Sequence, residues 1–139
     1  MEHQVICRYL KSCHWKCRFY RVSGFRFCAI TEIYLFTTHS SKVWDTYTGA
    51  PLYSFPHNHI VRTVALSPNA SHLLTGGQEK KIRLFDLNRP DAEPSFFSRS
   101  GGGTSHDGTV RSVVWDRERA AGVSAGEDKI VRYARTSIS

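Results

Sequence analysis

No stretch of the 139 residues approaches the ~18 uninterrupted apolar residues of a membrane-spanning helix, so neither a span nor a membrane partner is expected. A secretory signal is also missing: the apolar run Phe27-Cys28-Ala29-Ile30 is too short, and Glu32 follows it. Cysteine is absent beyond Cys28. The four that occur, Cys7, Cys13, Cys17 and Cys28, are expected to be reduced thiols of a cytoplasmic chain, with a nuclear presence left open. Zinc needs ligands paired at short spacing. Cys13 and Cys17, with His14 between them and His3 nearby, give one pair, but Cys7 and Cys28 do not give a second, so no metal site is expected. No segment places apolar residues at i, i+3, i+4 and i+7 for long enough to make a helix. Gly101-Gly102-Gly103 is followed by no Gly-Lys-Ser/Thr, which leaves a flexible linker rather than a phosphate cradle, and no cofactor or small-molecule substrate is expected.

Acidic residues are in deficit, and the deficit is local. The formal net charge is +7. Residues 1–42 hold seven Lys/Arg against Glu2 and Glu32, whereas the remaining 97 residues hold twelve against ten. The second part is nearly balanced and shows no stripe suited to tracking phosphates. A basic, cysteine-bearing nucleic-acid module at the N-terminus is the alternative. There Cys13 and Cys17 would hold metal, and Arg18, Arg21 and Arg26 would face phosphates.

What the chain does contain is an internal repeat. Shifted by 49 positions, His57 falls on His106, Val61 on Val110, Val64 on Val113 and Thr75 on Ser124. The same shift carries Gly77 to Gly126, Glu79 to Asp128, Ile82 to Val131 and Arg83 to Arg132. A fixed period of about 40–50 residues indicates blades or solenoid units. Within the unit, Ile60 to Leu66 reads as a strand closed by the turn Ser67-Pro68-Asn69. Leu73-Leu74 is a second strand closed by Gly76-Gly77, and Ile82 to Phe85 a third. Each unit is therefore a small antiparallel sheet.

Three polar residues recur inside it: His57, Thr75 and Glu79, matched by His106, Ser124 and Asp128. A carboxylate accepting from an imidazole that in turn bonds a hydroxyl would satisfy all three, sparing the ~1–3 kcal/mol of an orphaned buried polar atom. The set resembles a Ser-His-Asp triad in composition. Its repetition on adjacent units speaks for a structural role, and no catalytic residue is assigned.

The pattern resembles the WD40 repeat. Pro56-His57 and Ser105-His106 stand where that family has Gly-His, Phe85-Asp86 stands for its Trp-Asp, and Trp44-Asp45 matches outright as the end of an earlier unit. Phe85 has no indole N–H to complete the family's Trp-Ser/Thr-His-Asp chain, and Tyr133-Ala134-Arg135 lacks both Trp and Asp. A narrower likeness, to one subgroup of the family, covers Lys42 to about Val131. It rests on Lys42-Val43-Trp44-Asp45, on His59-Ile60-Val61, on Leu73-Leu74-Thr75-Gly76-Gly77-Gln78, and above all on Asp86-Leu87-Asn88-Arg89-Pro90-Asp91-Ala92-Glu93-Pro94. The resemblance implies an all-β, incomplete propeller of about two to three four-stranded antiparallel blades, fewer than the roughly 4–8 of a closed ring.

In this reading residues 42–56 end the first blade, with Thr46 to Pro51 a hairpin turn and Leu52 to Phe55 an outer strand. The second blade runs over 57–98, the third over 106–135, and 136–139 is a tail. Similarity starts abruptly at Lys42, with Thr38, Ser40 and Ser41 in the place of the family's turn Asp, Ser/Thr and apolar residue. Residues 1–41 are therefore expected to be unrelated to the propeller and poorly ordered, as from a mis-spliced or wrongly predicted exon, with a divergent N-terminal extension as the alternative. Their aromatics Phe19, Tyr20, Phe25 and Phe27 follow no sustained period. With so few blades, Val61, Leu66, Val113 and Trp115 are expected to line uncovered faces.

The function the resemblance implies is a non-enzymatic scaffold that binds proteins. Its settings are assembly of small nuclear ribonucleoproteins within the survival-of-motor-neuron complex, with RNA reached only indirectly, or receptor-kinase-associated signalling. A WD40 subunit of a translation-initiation complex is the alternative. Asn58, His59, Arg62 and Arg111 are the candidate partner surface.

Overall fold

The computed structural model describes residues 16–22, 25–31, 39–45, 48, 50–97, 105–116 and 121–135, the first two segments as backbone. Eleven strands lie in these residues and form three antiparallel sheets. The first sheet comprises β1 (Lys16–Val22), β2 (Phe25–Thr31), β3 (Ser40–Asp45) and β4 (Pro51–Pro56), hydrogen-bonded in that order. The second comprises β5 (Val61–Leu66), β6 (His72–Gly77), β7 (Ile82–Asp86) and β8 (Ser95–Phe97), again in chain order. The third has β9 (Val110–Asp116), β10 (Ala121–Gly126) and β11 (Val131–Arg135). Of the segment 1–41, the described backbone forms the β1–β2 hairpin. It pairs through β2 with β3, from Phe27 opposite Asp45 to Thr31 opposite Ser41, so pairing runs across the boundary placed at residue 41. The cysteine side chains and the glycine linker lie outside the described residues.

Strand period explains how the middle blade is packed. Successive side chains on a strand face opposite ways. Val64 and Leu66 of β5, Leu73 of β6 and Phe85 of β7 join Val43 and Phe55 of the first blade in one buried cluster. Their neighbours Ala65, Leu74 and Ile82 point the other way and join Val110 and Val113 of the third blade. Both faces of the middle blade are buried, which is why its strands read as near-continuous apolar runs. Val61 has the parity of Ala65 and would face the third blade. The irregularity between Val61 and Thr63 turns it into the first cluster instead.

This packing corrects the expected uncovered faces. Val61, Leu66 and Val113 are buried between blades, and Trp115 packs against the second cluster. The exposed apolar residues of the third blade are Val114, Ile130, Val131 and Tyr133. Trp115 and Thr63 also clip the second and third blades together. The Trp115 indole donates to the Ala65 carbonyl at 3.0 Å, and the Val113 amide donates to Thr63 Oγ1 at 3.1 Å.

Close approach of these two blades depends on a bare backbone at Gly76, where a Cβ would stand 2.6 Å from Val110 Cγ1. Gly76→Ala should lower stability by ~1–3 kcal/mol through overpacking. Chemical denaturation should show the loss, and Val110→Ala in the same chain should recover part of it.

Candidate functional site

The recurring polar residues gather where the connections into β5 and β9 meet the turns β6–β7 and β10–β11. In the third blade they form one continuous chain. His106 is fully buried, with Nδ1 3.0 and 2.9 Å from the two Asp128 carboxylate oxygens and Nε2 2.8 Å from Ser124 Oγ. A carboxylate only accepts, so Nδ1 carries the ring proton and Nε2 accepts from the Ser124 hydroxyl. Asp128 also accepts from the amides of Asp107 at 3.0 Å and Ile130 at 3.2 Å. Burial pushes its pKa up, but the bonds from His106 and the two amides outweigh this and hold it below the ordinary carboxylate value. Gly126 makes room for the chain: a Cβ there would lie 2.6 Å from His106 Nδ1 and 2.7 Å from Asp128 Oδ1.

The second blade does not repeat this arrangement. Among the described residues no hydrogen bond joins His57 to Thr75 or to Glu79, contrary to the expected chain. Instead His57 Nε2 lies 3.0 Å from Ser41 Oγ, on β3 of the preceding blade. Glu79 accepts from the Asn58 amide at 2.7 Å and from Arg83, whose Nε and Nη2 lie 2.8 and 2.6 Å away. Two differences in the sequence account for the change. Glu79 is one methylene longer than Asp128 and reaches Arg83, and Ser41 supplies a hydroxyl where the next unit has Ile82. Thr75 is buried beside His57, Gly76 and Glu79 at the rim of a small cavity.

Charge follows the same division. Burial of His57 and the nearby Arg83 cation lower its pKa from 6.5 to about 4, with Glu79 pulling weakly the other way. Burial raises the Glu79 pKa, but the bonds from Arg83 and the Asn58 amide bring it below its ordinary value. Phe85 stacks on Phe55 at 4.3 Å and meets the edge of the His57 ring at 5.5 Å, so a ring contact replaces the indole hydrogen bond. Asp86 caps the turn after β7, accepting from the Asn88 amide at 2.9 Å and from Arg89 Nε at 3.2 Å. Trp44 and Asp45 end β3, where the Asp45 amide donates to the Ala50 carbonyl at 3.0 Å.

Asn58 and His59, in the connection into β5, and Arg62 and Arg111, the second residues of β5 and β9, are all exposed, and Arg111 pairs with Glu127. Lys80 and Lys129, one period apart, both adopt left-handed backbone, with φ of 61° and 63°. The roles of Ser41 and Arg83 were the parts missed by sequence reasoning. Arg83 carried a signal, since it recurs as Arg132.

The blades, their 49-residue period and the buried His-Ser-Asp chain follow the WD40-repeat pattern, and residues 49–86 match the family described as WD domain, G-beta repeat. Within that class the chain is similar to Serine-threonine kinase receptor-associated protein. It is 40% identical over 93 residues to the Homo sapiens and Bos taurus proteins, covering 67% of this chain and 25% of each relative. The Dictyostelium discoideum protein is 39% identical over 77 residues, covering 55% of this chain and 24% of that relative. The chain thus spans about a quarter of the length of the curated relatives it matches.

Ser124→Ala should leave Nε2 of the buried His106 ring without a partner and cost ~1–3 kcal/mol, read as a lower denaturation midpoint. His57 sets a pH dependence. The unfolded chain binds a proton near pH 6.5 and the folded one only near 4, so stability should fall as pH drops through that window, by up to about 3 kcal/mol. Thermal melts of the wild type and of His57→Phe between pH 7 and pH 4 measure it. The variant should show the shallower slope.

Proposed function

We propose that this chain is a non-catalytic platform whose blades present a loop face to partner proteins. The carrying observation is that, among the described residues, the hydrogen-bonded chain of catalytic composition is sealed: His106 and Ser124 are buried, and the His106 ring is bonded to both Ser124 and Asp128. Asn58, His59, Arg62 and Arg111, in contrast, are each exposed, at or just before the starts of β5 and β9. Polar groups held on a stiff scaffold suit protein recognition.

The similarity to Serine-threonine kinase receptor-associated protein supports placing this platform in receptor-kinase-associated signalling or in small nuclear ribonucleoprotein assembly with the survival-of-motor-neuron complex. The setting is cytoplasmic with a nuclear share, and RNA is reached through protein partners. The near balance of charge beyond residue 42 supports that indirect route. The test is co-purification of the tagged 139-residue chain with the survival-of-motor-neuron complex and, separately, with receptor-kinase complexes. Arg62→Glu combined with Arg111→Ala should reduce recovery at least about tenfold at an unchanged melting temperature. Failure of the wild-type chain to recover either complex would overturn the assignment.

A further inference from the structure

The polar set of the second blade does not close on itself as that of the third does. Thr75 is 1% exposed, yet among the described residues no hydrogen bond reaches its hydroxyl. Its equivalent, Ser124, is equally buried and bonded to the His106 ring at 2.8 Å. In the His57 ring Nε2 is engaged with Ser41, and among the described residues Nδ1 has no bond. Glu79 turns Oε2 to both Arg83 nitrogens, whereas Oε1 accepts from the Asn58 amide and keeps a second lone pair.

These three residues line one small cavity, with Gly76 and Gly77 of β6 in its wall. The glycines show how the space arises. A Cβ at Gly126 would meet His106 and Asp128 first, at 2.6 and 2.7 Å. At Gly77, one period earlier, the nearest atoms are backbone of Ile60, Val61 and Arg62, so His57 and Glu79 stand farther off the strand. The space open to the centre of a water molecule is about 10 Å³. A single water site needs roughly 10–15 Å³ on that measure and roughly two to four polar partners. A phosphate or a partner's carboxylate is too large for it, and a halide would face the Glu79 carboxylate. Apolar cavities stay dry, but this one presents a hydroxyl, a carboxylate oxygen and a ring nitrogen.

We propose that this cavity is a bound-water site, in which one water held by the Thr75 hydroxyl, Glu79 Oε1 and His57 Nδ1 completes the polar chain of the second blade. A carboxylate only accepts, so the water donates one proton to Glu79. Its other proton and its lone pairs serve Thr75 and Nδ1 in either tautomer of the neutral ring. Burial and the Arg83 charge keep that ring neutral, with a pKa of about 4. The water joins β6 to the turn at Glu79 and to the connection at His57, and it leaves Nε2 to Ser41 on the preceding blade. The inference is independent of the platform reading.

The test is oxygen-17 magnetic relaxation dispersion on the full 139-residue chain, which counts waters held longer than the protein tumbles, together with thermal melts. Thr75→Val keeps the shape and removes the hydroxyl. It should lose about one long-lived water and lower the melting midpoint, and Thr75→Ser should retain both. His57→Phe, which removes Nδ1, serves where Thr75→Val does not fold and should lose the same water. An unchanged or raised midpoint in Thr75→Val overturns the proposal, because removing a buried hydroxyl without a partner is neutral or stabilising. A lower midpoint with an unchanged water count also overturns it, because the hydroxyl would then be bonded to a protein group.

Discussion

The middle blade must bury both of its faces. β5, β6 and β7 send alternate side chains into two separate cores, one shared with Val43 and Phe55 and the other with Val110 and Val113. Neither face can be solvated without opening a blade junction. The remaining features follow from this. Gly76 is bare because Val110 must come close, and the Trp115 and Thr63 bonds tie β9 to β5 where the second core is narrow. Polar groups inside such a stack survive only with partners, since an orphaned one costs about as much as a good packing contact contributes.

The two histidines solve that problem in different ways, and the difference alters what each holds together. The His106 ring is bonded wholly within its own blade, to Ser124 on β10 and Asp128 in the following turn. The His57 ring bonds Ser41 on the preceding blade. The amides of both residues reach back one blade, from His106 to the Lys80 carbonyl at 2.9 Å and from His57 to the His39 carbonyl at 2.7 Å. One ring stiffens a blade and the other adds a side-chain fastening between two. The surrounding burial and the Arg83 charge favour the neutral form of the His57 ring. Glu79 is drawn off to Arg83, so the His57 ring has no carboxylate hydrogen-bonded to it that would stabilise a protonated form.

The repeating part of the fold was legible because its signals are local and doubled. The period of 49, the turns at Ser67-Pro68-Asn69 and Gly76-Gly77, and the paired polar residues each recur or sit at a fixed offset. Pairing of β2 with β3 was not legible. The aromatics of 19–27 show no sustained alternation, and a hairpin's choice of neighbour is a long-range matter that periodicity does not encode. The switch of His57 from Thr75 to Ser41 was hidden for a different reason. Composition placed His, Thr and Glu in the family's positions, but side-chain reach decided the bonds, and one extra methylene in Glu79 is invisible to a motif. Trp115 was misplaced because an aromatic near a terminal blade was read as surface, whereas its N–H had an acceptor waiting on β5.

A row of blades is quasi-one-dimensional, so its stability is nearly a sum of blade terms and junction terms. Among the described residues the middle blade has two junctions and the third blade one, and β11 pairs with β10. Within the described residues opening should therefore reach the middle blade last, in the order expected of partly independent cooperative units. A platform gains from that gradient. Rigid turns around the middle blade can hold exposed side chains in fixed positions.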